Sequence, residues 1–253
     1  MKRLFLTPLH AILLALIFSA AFLFFSCGRG EAQEAEVRPV TVGQMMPTFS
    51  LPQYQGGTLS LADLKGKKVL LIFPRGFAAE GAWCTICHYR YAELLEIEQV
   101  SGFRKKYNIE VVMVFPYDQE KVEAWLKTLP AQLAKVKDWK YPAAPQALDE
   151  RGRQRMERAR RLFPRDLRWE EGKPVATPFP LLIDADRKVS KGMGLFSEEW
   201  GGSKVAQNIP AYFILDESGV VLFKYIGQNT ADRPSHEYLE KVLDCLGGKS
   251  LGR

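Results

Sequence analysis

The sequence is poor in cysteine and histidine, with four cysteines and three histidines in 253 residues. The cysteines are Cys27, Cys84, Cys87 and Cys245. Two closely spaced cysteines with two distant ones form a poor framework of structural disulfides, but the close two suit a redox-active pair. The three histidines leave few candidate ligands for a metal ion or a haem. Internal repeats and low-complexity tracts are also absent from the sequence, which excludes repeat architectures and leaves a composition typical of a globular protein.

Only one long apolar run is present, over residues 4–25, and it follows the basic residues Lys2 and Arg3. A run of this kind indicates an export signal or a membrane span rather than part of the fold. The small Ser26 before Cys27 resembles the end of a bacterial lipoprotein signal, which predicts lipidation of Cys27. An uncleaved anchor helix with Lys2 and Arg3 inside, and ordinary secretion, are the alternatives. All three place the rest of the chain outside the cytoplasm, where disulfides persist.

We therefore assign residues 1–26 to a signal peptide or membrane anchor, residues 27–41 to a flexible tether and residues 42–246 to the folded domain. Within that domain, residues 130–178 differ in character and indicate an insertion. Residues 135–173 contain twelve Lys or Arg against seven Asp or Glu, a balance of +5, so this segment carries most of the chain's formal charge of +6.

One predicted helix of the insertion is crowded with arginine. Its arginines are Arg151, Arg153, Arg155, Arg158, Arg160 and Arg161, and its apolar positions are Met156, Ala159, Leu162 and Phe163. This pattern predicts a solvated helix face, with contact to anionic lipid headgroups or to an acidic partner as the alternative. Nucleic acid is not an expected partner outside the cytoplasm.

The pattern of apolar residues predicts an α/β fold. Continuous apolar runs at residues 69–73 and 111–115 predict strands buried on both faces. Helical spacing follows Cys87, and residues 120–129 predict a second helix that ends at Pro130. Alternating strands and helices imply a parallel sheet. Later segments predict a strand over residues 179–183, a hairpin over residues 211–226 and a final helix over residues 235–246.

Cys84 and Cys87 are expected to start a helix and to form a redox-active disulfide. Unpaired backbone N–H groups and the helix dipole lower the pKa of a cysteine at this position from its free value of about 8.5. Cys84 is then the nucleophile that attacks a disulfide, and Cys87 attacks the resulting mixed disulfide to release the product. No cofactor and no metal ion beyond this pair are expected.

Three stretches resemble the redoxin group of the thioredoxin-like superfamily. They are residues 42–51 together with 61–73, the run Trp83-Cys84-Thr85-Ile86-Cys87, and residues 208–216, which include Ile209 and Pro210. This group joins peroxiredoxins of the alkyl hydroperoxide reductase and thiol-specific antioxidant family with membrane-tethered disulfide oxidoreductases. The resemblance implies a three-layer thioredoxin-like domain with a central mixed sheet. It also implies a substrate-binding surface at Trp83, Ile209 and Pro210, with a cis peptide bond before Pro210.

The expected activity is thiol-disulfide exchange with protein disulfides or thiols and a reducing partner; the alternative is an antioxidant thiol peroxidase. Peroxiredoxins of this family need a proline seven residues and a threonine or serine three residues before the peroxide-reactive cysteine. Phe77 and Gly81 occupy these positions before Cys84, and Glu80 and Cys84 occupy them before Cys87. Neither cysteine therefore has the expected peroxidatic setting.

Further alternatives are a c-type haem protein and a redox-inactive interaction module. The run from Cys84 to His88 satisfies the spacing for covalent haem attachment, but few residues remain for a second axial ligand. A zinc site is disfavoured because no fourth ligand lies near Cys84, Cys87 and His88. We expect His88 on the surface, Cys245 in the core and Glu80, the one acid that could assist proton transfer, in solvent.

Overall fold

The computed structural model describes residues 40–167, 169 and 173–247. The predicted signal or anchor at residues 1–26, Cys27 and nearly all of the predicted tether lie outside the described residues. Within the part of the chain that the structure describes, no helix combines the length and the apolar character needed to cross a membrane. The boundaries assigned to the domain and its insertion stay predictions.

The strands are β1 (Ser50–Pro52), β2 (Thr58–Ser60), β3 (Lys68–Phe73), β4 (Phe77–Ala79), β5 (Ala82–Trp83), β6 (Ile109–Phe115), β7 (Leu181–Ile183), β8 (Phe196–Ser197), β9 (Gln207–Asn208), β10 (Ala211–Leu215) and β11 (Val221–Ile226). The helices are α1 (Thr85–Ser101), α2 (Phe103–Tyr107), α3 (Gln119–Lys140), α4 (Glu150–Leu162), α5 (Lys188–Gly192) and α6 (His236–Leu246). Short 3₁₀ helices cover Leu61–Leu64 and Pro145–Ala147.

The central sheet has the strand order β11-β10-β3-β6-β7. β3 pairs in parallel with β6, and β6 pairs in parallel with β7, whereas β10 runs antiparallel to both β3 and β11. The sheet is therefore mixed, as predicted. The predicted hairpin is confirmed by the pairing of β10 with β11, and the predicted last helix is confirmed by α6, whose first turn is capped by the Ser235 side chain.

Two apolar cores lie on opposite faces of the sheet because successive side chains of a strand point to opposite sides. On one face, Leu70 packs in a cluster with Leu94 of α1, Trp125 of α3 and Leu239 of α6. On the other face, neighbouring Leu71 packs in a second cluster, which also contains buried residues between positions 40 and 61 and residues around α5. Helices, sheet and a second covering layer give the predicted three-layer α/β fold.

Helix α3 does not end at Pro130, and the prediction that it would was wrong. The helix continues to Lys140 with Pro130 inside it. A proline in a helix removes one backbone hydrogen bond, but this loss is outweighed when the apolar face remains buried on both sides of it. Here Leu126 and Leu129 before the proline, and Leu133 and Val136 after it, are all buried.

The arginine-rich segment follows α3 and is packed against it. Asp149 caps helix α4, and its side chain accepts a hydrogen bond from the backbone N–H of Gly152 at 2.7 Å. Ala159 and Phe163 are buried on the inner face, where the Phe163 ring lies 6.1 Å from that of Trp139. The six arginines named above are all exposed, as both the predicted solvated face and the alternative contact with lipid or an acidic partner require.

Candidate active site

The loop after β3 and the start of α1 bring the two cysteines together. Cys84 is the residue before α1, and its backbone N–H donates a 2.8 Å hydrogen bond to the carbonyl of Gly76. Gly76 has φ +77°, and a Cβ atom at this position would lie 2.3 Å from the ring of Tyr117. A glycine is therefore required where the loop turns, and its carbonyl fixes the position of Cys84.

The Cys84 and Cys87 sulfur atoms lie 3.0 Å apart, with both thiols free and buried. The hydrogen bond from Cys87 is the main reason that the pKa of Cys84 falls to about 5, and the charges of Arg233 and Arg75 lower it further while burial opposes them. Burial raises the pKa of Cys87 well above its ordinary value, and the hydrogen bond to Cys84 raises it further. The opposite pKa shifts thus favour a thiolate at Cys84 and a protonated thiol at Cys87, with the two sulfur atoms in contact.

Two buried arginines lie beside this pair, and neither was predicted from the sequence. Arg233 points Nη2 at the Cys84 sulfur from 3.9 Å, and its Nη1 donates to the carbonyl of Asp232 at 2.7 Å. Arg75 is held by Gln207, which accepts from its Nε at 2.6 Å, and by the Ser203 hydroxyl, which accepts from Nη2 at 2.8 Å. Arg75 could have been singled out, since it follows a buried strand in the loop leading to the cysteines, but nothing local distinguishes Arg233.

Trp83 immediately precedes the nucleophile. It ends β5 and stacks on Phe77 of β4, with ring centroids 3.7 Å apart, and its edge meets Tyr117 at 5.8 Å. The Tyr117 hydroxyl accepts from the backbone N–H of Phe77 at 3.0 Å. The three rings form one wall next to Cys84, with Trp83 half-buried. The assignment of Trp83 to substrate binding stays a prediction.

Ile209 and Pro210 lie directly before β10. The peptide bond between them is trans, as are all peptide bonds of the described residues, so the predicted cis bond was wrong. In this conformation the Ile209 N–H donates to the Leu195 carbonyl at 2.6 Å, and the Pro210 carbonyl accepts from the Gly227 N–H at 2.8 Å. Both backbone groups are thus satisfied without a cis bond. Ile209 is half-buried and Pro210 is buried, and their predicted contact with substrate stays untested.

His88 is fully buried, so its predicted surface position was wrong. Its Nδ1 lies 3.1 Å from the Cys84 carbonyl and its Nε2 lies 2.9 Å from the Trp125 carbonyl, while the ring stacks on Trp125. Burial lowers the pKa of His88 to about 4. Because both nitrogens face hydrogen-bond partners, His88 is not free to ligate a haem iron, which argues against the haem alternative. Within the described residues, no cluster of three or more potential metal ligands exists.

Cys245 is exposed, so the prediction that it lies in the core was wrong. The buried positions of α6 are His236, Leu239 and Leu243, and Cys245 falls off this stripe. Glu80 is exposed, as predicted.

An ionic cluster that the sequence did not predict lies behind Cys87, with Arg90, Glu93 and His236 buried and Arg165 exposed. Glu93 is 3% exposed and accepts a 2.6 Å hydrogen bond from Nη1 of Arg90. Arg165, from the segment after α4, places its Nε 3.6 Å from Glu93. The ring of His236 joins the cluster through Nε2, which lies 2.8 Å from the Arg90 carbonyl and 3.7 Å from Glu93.

A cavity of ≈ 1090 Å³ lies away from the thiols, between α3 and the segment that follows α4. Its lining includes Tyr89, Lys137, Lys140, Tyr141 and Arg165 and contains no cysteine. Because it holds neither thiol, we place the candidate active site at the cysteine pair.

Comparison with known proteins confirms the predicted resemblance. The model of the AhpC/TSA family matches residues 42–224. The chain is 30% identical over 100 residues to the putative peroxiredoxin bcp of Coxiella burnetii, a match that covers 34% of this chain and 66% of that protein. The chain therefore spans just under two thirds of that relative's length.

Two solved structures share the fold. A mutant of peroxiredoxin 6 from Arenicola marina superposes with a TM-score of 0.53 at 13% identity, covering 82% of this chain and 74% of that chain. The reduced 2-Cys peroxiredoxin of Plasmodium vivax gives a TM-score of 0.53 at 17% identity, covering 83% of each chain. At these identities the likeness concerns the fold, and the predicted fold class is confirmed.

Proposed function

The chain belongs to the AhpC/TSA family of redox enzymes, and from this premise we propose that it is an extracytoplasmic, membrane-anchored thiol-disulfide oxidoreductase that uses Cys84 and Cys87. The observation that carries the proposal is the 3.0 Å contact between the sulfur atoms of Cys84 and Cys87, together with the lowered pKa of Cys84 and the raised pKa of Cys87. Such a pair supplies both the nucleophile and the resolving group of a disulfide exchange.

The reaction proceeds in two displacements. The Cys84 thiolate attacks one sulfur of a substrate disulfide, forms a mixed disulfide and expels the other sulfur as a thiolate. Cys87 then loses its proton and attacks the Cys84 sulfur, which forms the Cys84–Cys87 disulfide and expels the second substrate thiolate. The substrate disulfide is reduced by two electrons and the cysteine pair is oxidised by two, so a reducing thiol partner must restore the pair.

Substrate recognition is proposed for the surface around Trp83, Ile209 and Pro210. The aromatic wall that ends at Trp83 adjoins Cys84, and Pro210 packs against Gly227, whose neighbourhood includes Arg233. An extended segment of a partner protein could lie between these elements with its disulfide next to Cys84.

Peroxide reduction is the second candidate, and a specific observation favours it. Arg75 and Arg233 carry positive charge beside the Cys84 thiolate, where they could stabilise the negative charge that develops when a peroxide O–O bond breaks. Cys84 would take one peroxide oxygen as a sulfenic acid and expel hydroxide, and Cys87 would displace water to form the same disulfide. The residues at the expected donor positions, Phe77 and Gly81, supply no side-chain donor.

One set of variants separates the two candidates. Cys84→Ser should abolish reduction of a model protein disulfide, while Cys87→Ser should trap a mixed disulfide that mass spectrometry maps to Cys84. Peroxide consumption with a thiol reductant should stay near background. Rapid, saturable peroxide turnover that survives in Cys87→Ser would overturn disulfide exchange in favour of the peroxidase.

The location of the protein is part of the proposal and is supported by the sequence alone. The apolar run at residues 4–25 and the Ser26-Cys27 pair favour a lipid-modified N-terminus at Cys27. Intact-mass analysis of protein purified from membranes should find diacylated Cys27 as the first residue, and Cys27→Ser should release the protein from the membrane. An unmodified Cys27 beside a retained leader would contradict the lipid anchor.

A further inference from the structure

Cys87 lines a cavity that it shares with a histidine from the far end of the chain. The cavity measures ≈ 10 Å³ and is bounded by Cys87, Arg90, Tyr91, Tyr212 and His236, among others. This volume is close to the minimum that admits one water molecule. His236 is 2% exposed, so the cavity connects two buried side chains of which one must release a proton.

The hydrogen bonds of His236 determine which ring nitrogen carries hydrogen. Nε2 lies 2.8 Å from the Arg90 carbonyl and 3.7 Å from the Glu93 carboxylate, and both groups can only accept. Nε2 must therefore donate, which in the neutral ring leaves Nδ1 as an unprotonated acceptor. Nδ1 is buried and has no hydrogen-bond partner.

A buried basic nitrogen without a hydrogen-bond partner is energetically costly and uncommon, because buried polar atoms are almost always paired. Such an exception calls for an explanation, and a catalytic role is one. The other buried histidine near the thiols makes the contrast clear. His88 has a suitable partner at each nitrogen, since the Cys84 carbonyl accepts from Nδ1 at 3.1 Å and the Thr128 hydroxyl, 3.1 Å from Nε2, can donate to it. His236 alone of these two has a free acceptor and borders the cavity of Cys87.

We propose that His236 is the proton acceptor for Cys87 in the resolving step, with Nδ1 taking the thiol proton directly or through one water in the shared cavity. This inference deepens the proposed function and rests on it. The proton leaves the Cys87 sulfur for Nδ1, the Cys87 thiolate attacks the Cys84 sulfur, and the expelled substrate thiolate or solvent finally takes the proton from the imidazolium. The same transfer would serve resolution of a sulfenic acid.

The surroundings of His236 allow it to hold a proton transiently. The charged and titratable groups that face it from the neighbouring elements are Cys87, Arg90, Tyr91 and Glu93 on α1, Tyr212 on β10 and Arg165 after α4. Burial keeps the pKa of the ring below its ordinary value, whereas the Glu93 carboxylate raises it. His236 is thus neutral and able to accept at neutral pH, and Glu93 faces the imidazolium when it forms.

The test separates the two displacements in the full chain carrying Cys27→Ser and Cys245→Ser, so that only the active pair reacts. A symmetrical chromogenic aryl disulfide releases one coloured thiolate when Cys84 attacks and a second when Cys87 resolves. His236→Gln keeps an N–H donor for the Arg90 carbonyl but removes the base. The first phase should keep its rate, and the second should slow by roughly 10²-fold, the lower range for general-base catalysis.

Glu237→Gln is the matched control, because Glu237 is the next residue of the same helix turn and is exposed. Both of its phases should keep their rates. A second phase of unchanged rate in His236→Gln would overturn the inference and leave the proposed function standing. A missing first phase in the unsubstituted protein would instead overturn the proposed function itself.

A measurement on the chain with His236 intact covers the case in which His236→Gln fails to fold. If His236 takes the proton, the rate of the second phase should be nearly constant between about pH 6.5 and pH 8.5, the ordinary pKa values of histidine and cysteine. A tenfold rise per pH unit across this window would mean that hydroxide or solvent removes the proton, and it would exclude His236.

Discussion

Two regions of this protein are rich in arginine and use it in opposite ways. At the active site, Arg75 and Arg233 are 3% and 8% exposed and lower the pKa of Cys84. On α4, six arginines are exposed to solvent. Charges interact strongly where water is excluded and weakly where it screens them. The effect of an arginine on the pKa of a neighbouring group in this protein therefore depends on its burial and not on the number of arginines nearby, although α4 has more of them.

The largest expected effect is the dependence of stability on pH, which should arise at the active site and not on α4. The pKa of Cys84 is about 5 in the folded protein, well below its ordinary value. A depressed pKa gives stability that is fully present above the ordinary value and is lost as the pH falls through about 5. The advantage of the reduced protein over reduced Cys84→Ser should therefore shrink from pH 8 to pH 5, by at most about 1.4 kcal/mol per pH unit.

Denaturant titrations of both reduced proteins at several pH values below 8.5 measure this difference, since the raised pKa of Cys87 works in the opposite direction only above the ordinary cysteine pKa of about 8.5. A constant difference across this range would mean that Cys84 is not ionised in the folded state.

The next effect separates the arginines directly. Arg233→Met should raise the pKa of Cys84 by about one to two units, because a hydrogen bond to a charged group contributes about 1.5–3 kcal/mol. Arg158→Met on α4 should leave it unchanged. The rate of iodoacetamide alkylation of Cys84 as a function of pH gives both values. Equal midpoints for the two variants would remove the distinction between buried and exposed arginines.

The rigid loop that holds Cys84 predicts a third, smaller effect. In Gly76→Ala the new Cβ would meet the Tyr117 ring at 2.3 Å in a backbone with φ +77°, so we expect a loss of about 1–3 kcal/mol in the free energy of unfolding. Gly81→Ala has φ +65° but no atom within 4 Å of the added Cβ, so only backbone strain of about 1 kcal/mol should remain. Equal losses in chemical denaturation would show that contact with Tyr117 does not matter.

The smallest effect concerns α4 itself. Replacement of Arg151, Arg155, Arg158 and Arg161 by Gln should change the free energy of unfolding by less than about 0.5 kcal/mol. The pKa of Cys84 should not move. If the helix docks on anionic lipid, the same variant should lose binding to phosphatidylserine vesicles at low salt. A marked loss of activity against a soluble disulfide would contradict the view of α4 as a peripheral surface.

The parts of this structure that sequence predicts are those fixed by local pattern. The runs around Leu71 and Val112 are apolar over a strand's length, and the cysteine pair precedes a helical repeat, so β3, β6 and the start of α1 follow from neighbouring residues. The predicted end of the helix at Pro130 was wrong because the effect of this proline on α3 depends on the tertiary burial of Leu129 and Leu133.

The site residues that the sequence did not predict are brought to the cysteines from distant parts of the chain. Arg233 meets a cysteine 149 positions earlier in the chain, and His236 contacts Arg90 from 146 positions away. Neither lies in a motif, and α6 predicts only which of its faces is buried. The prediction of a cis bond before Pro210 failed for a different reason, since it was carried over from a resemblance and did not come from the residues themselves.

The stacking of Trp83 on Phe77 has a practical consequence. An indole that adjoins Cys84 and stacks on the Phe77 ring at 3.7 Å is an intrinsic optical reporter of the thiol pair. Its emission should differ between the dithiol and the disulfide, so oxidation of the protein can be followed in real time without a label. Trp83→Phe should silence the signal and identify its source.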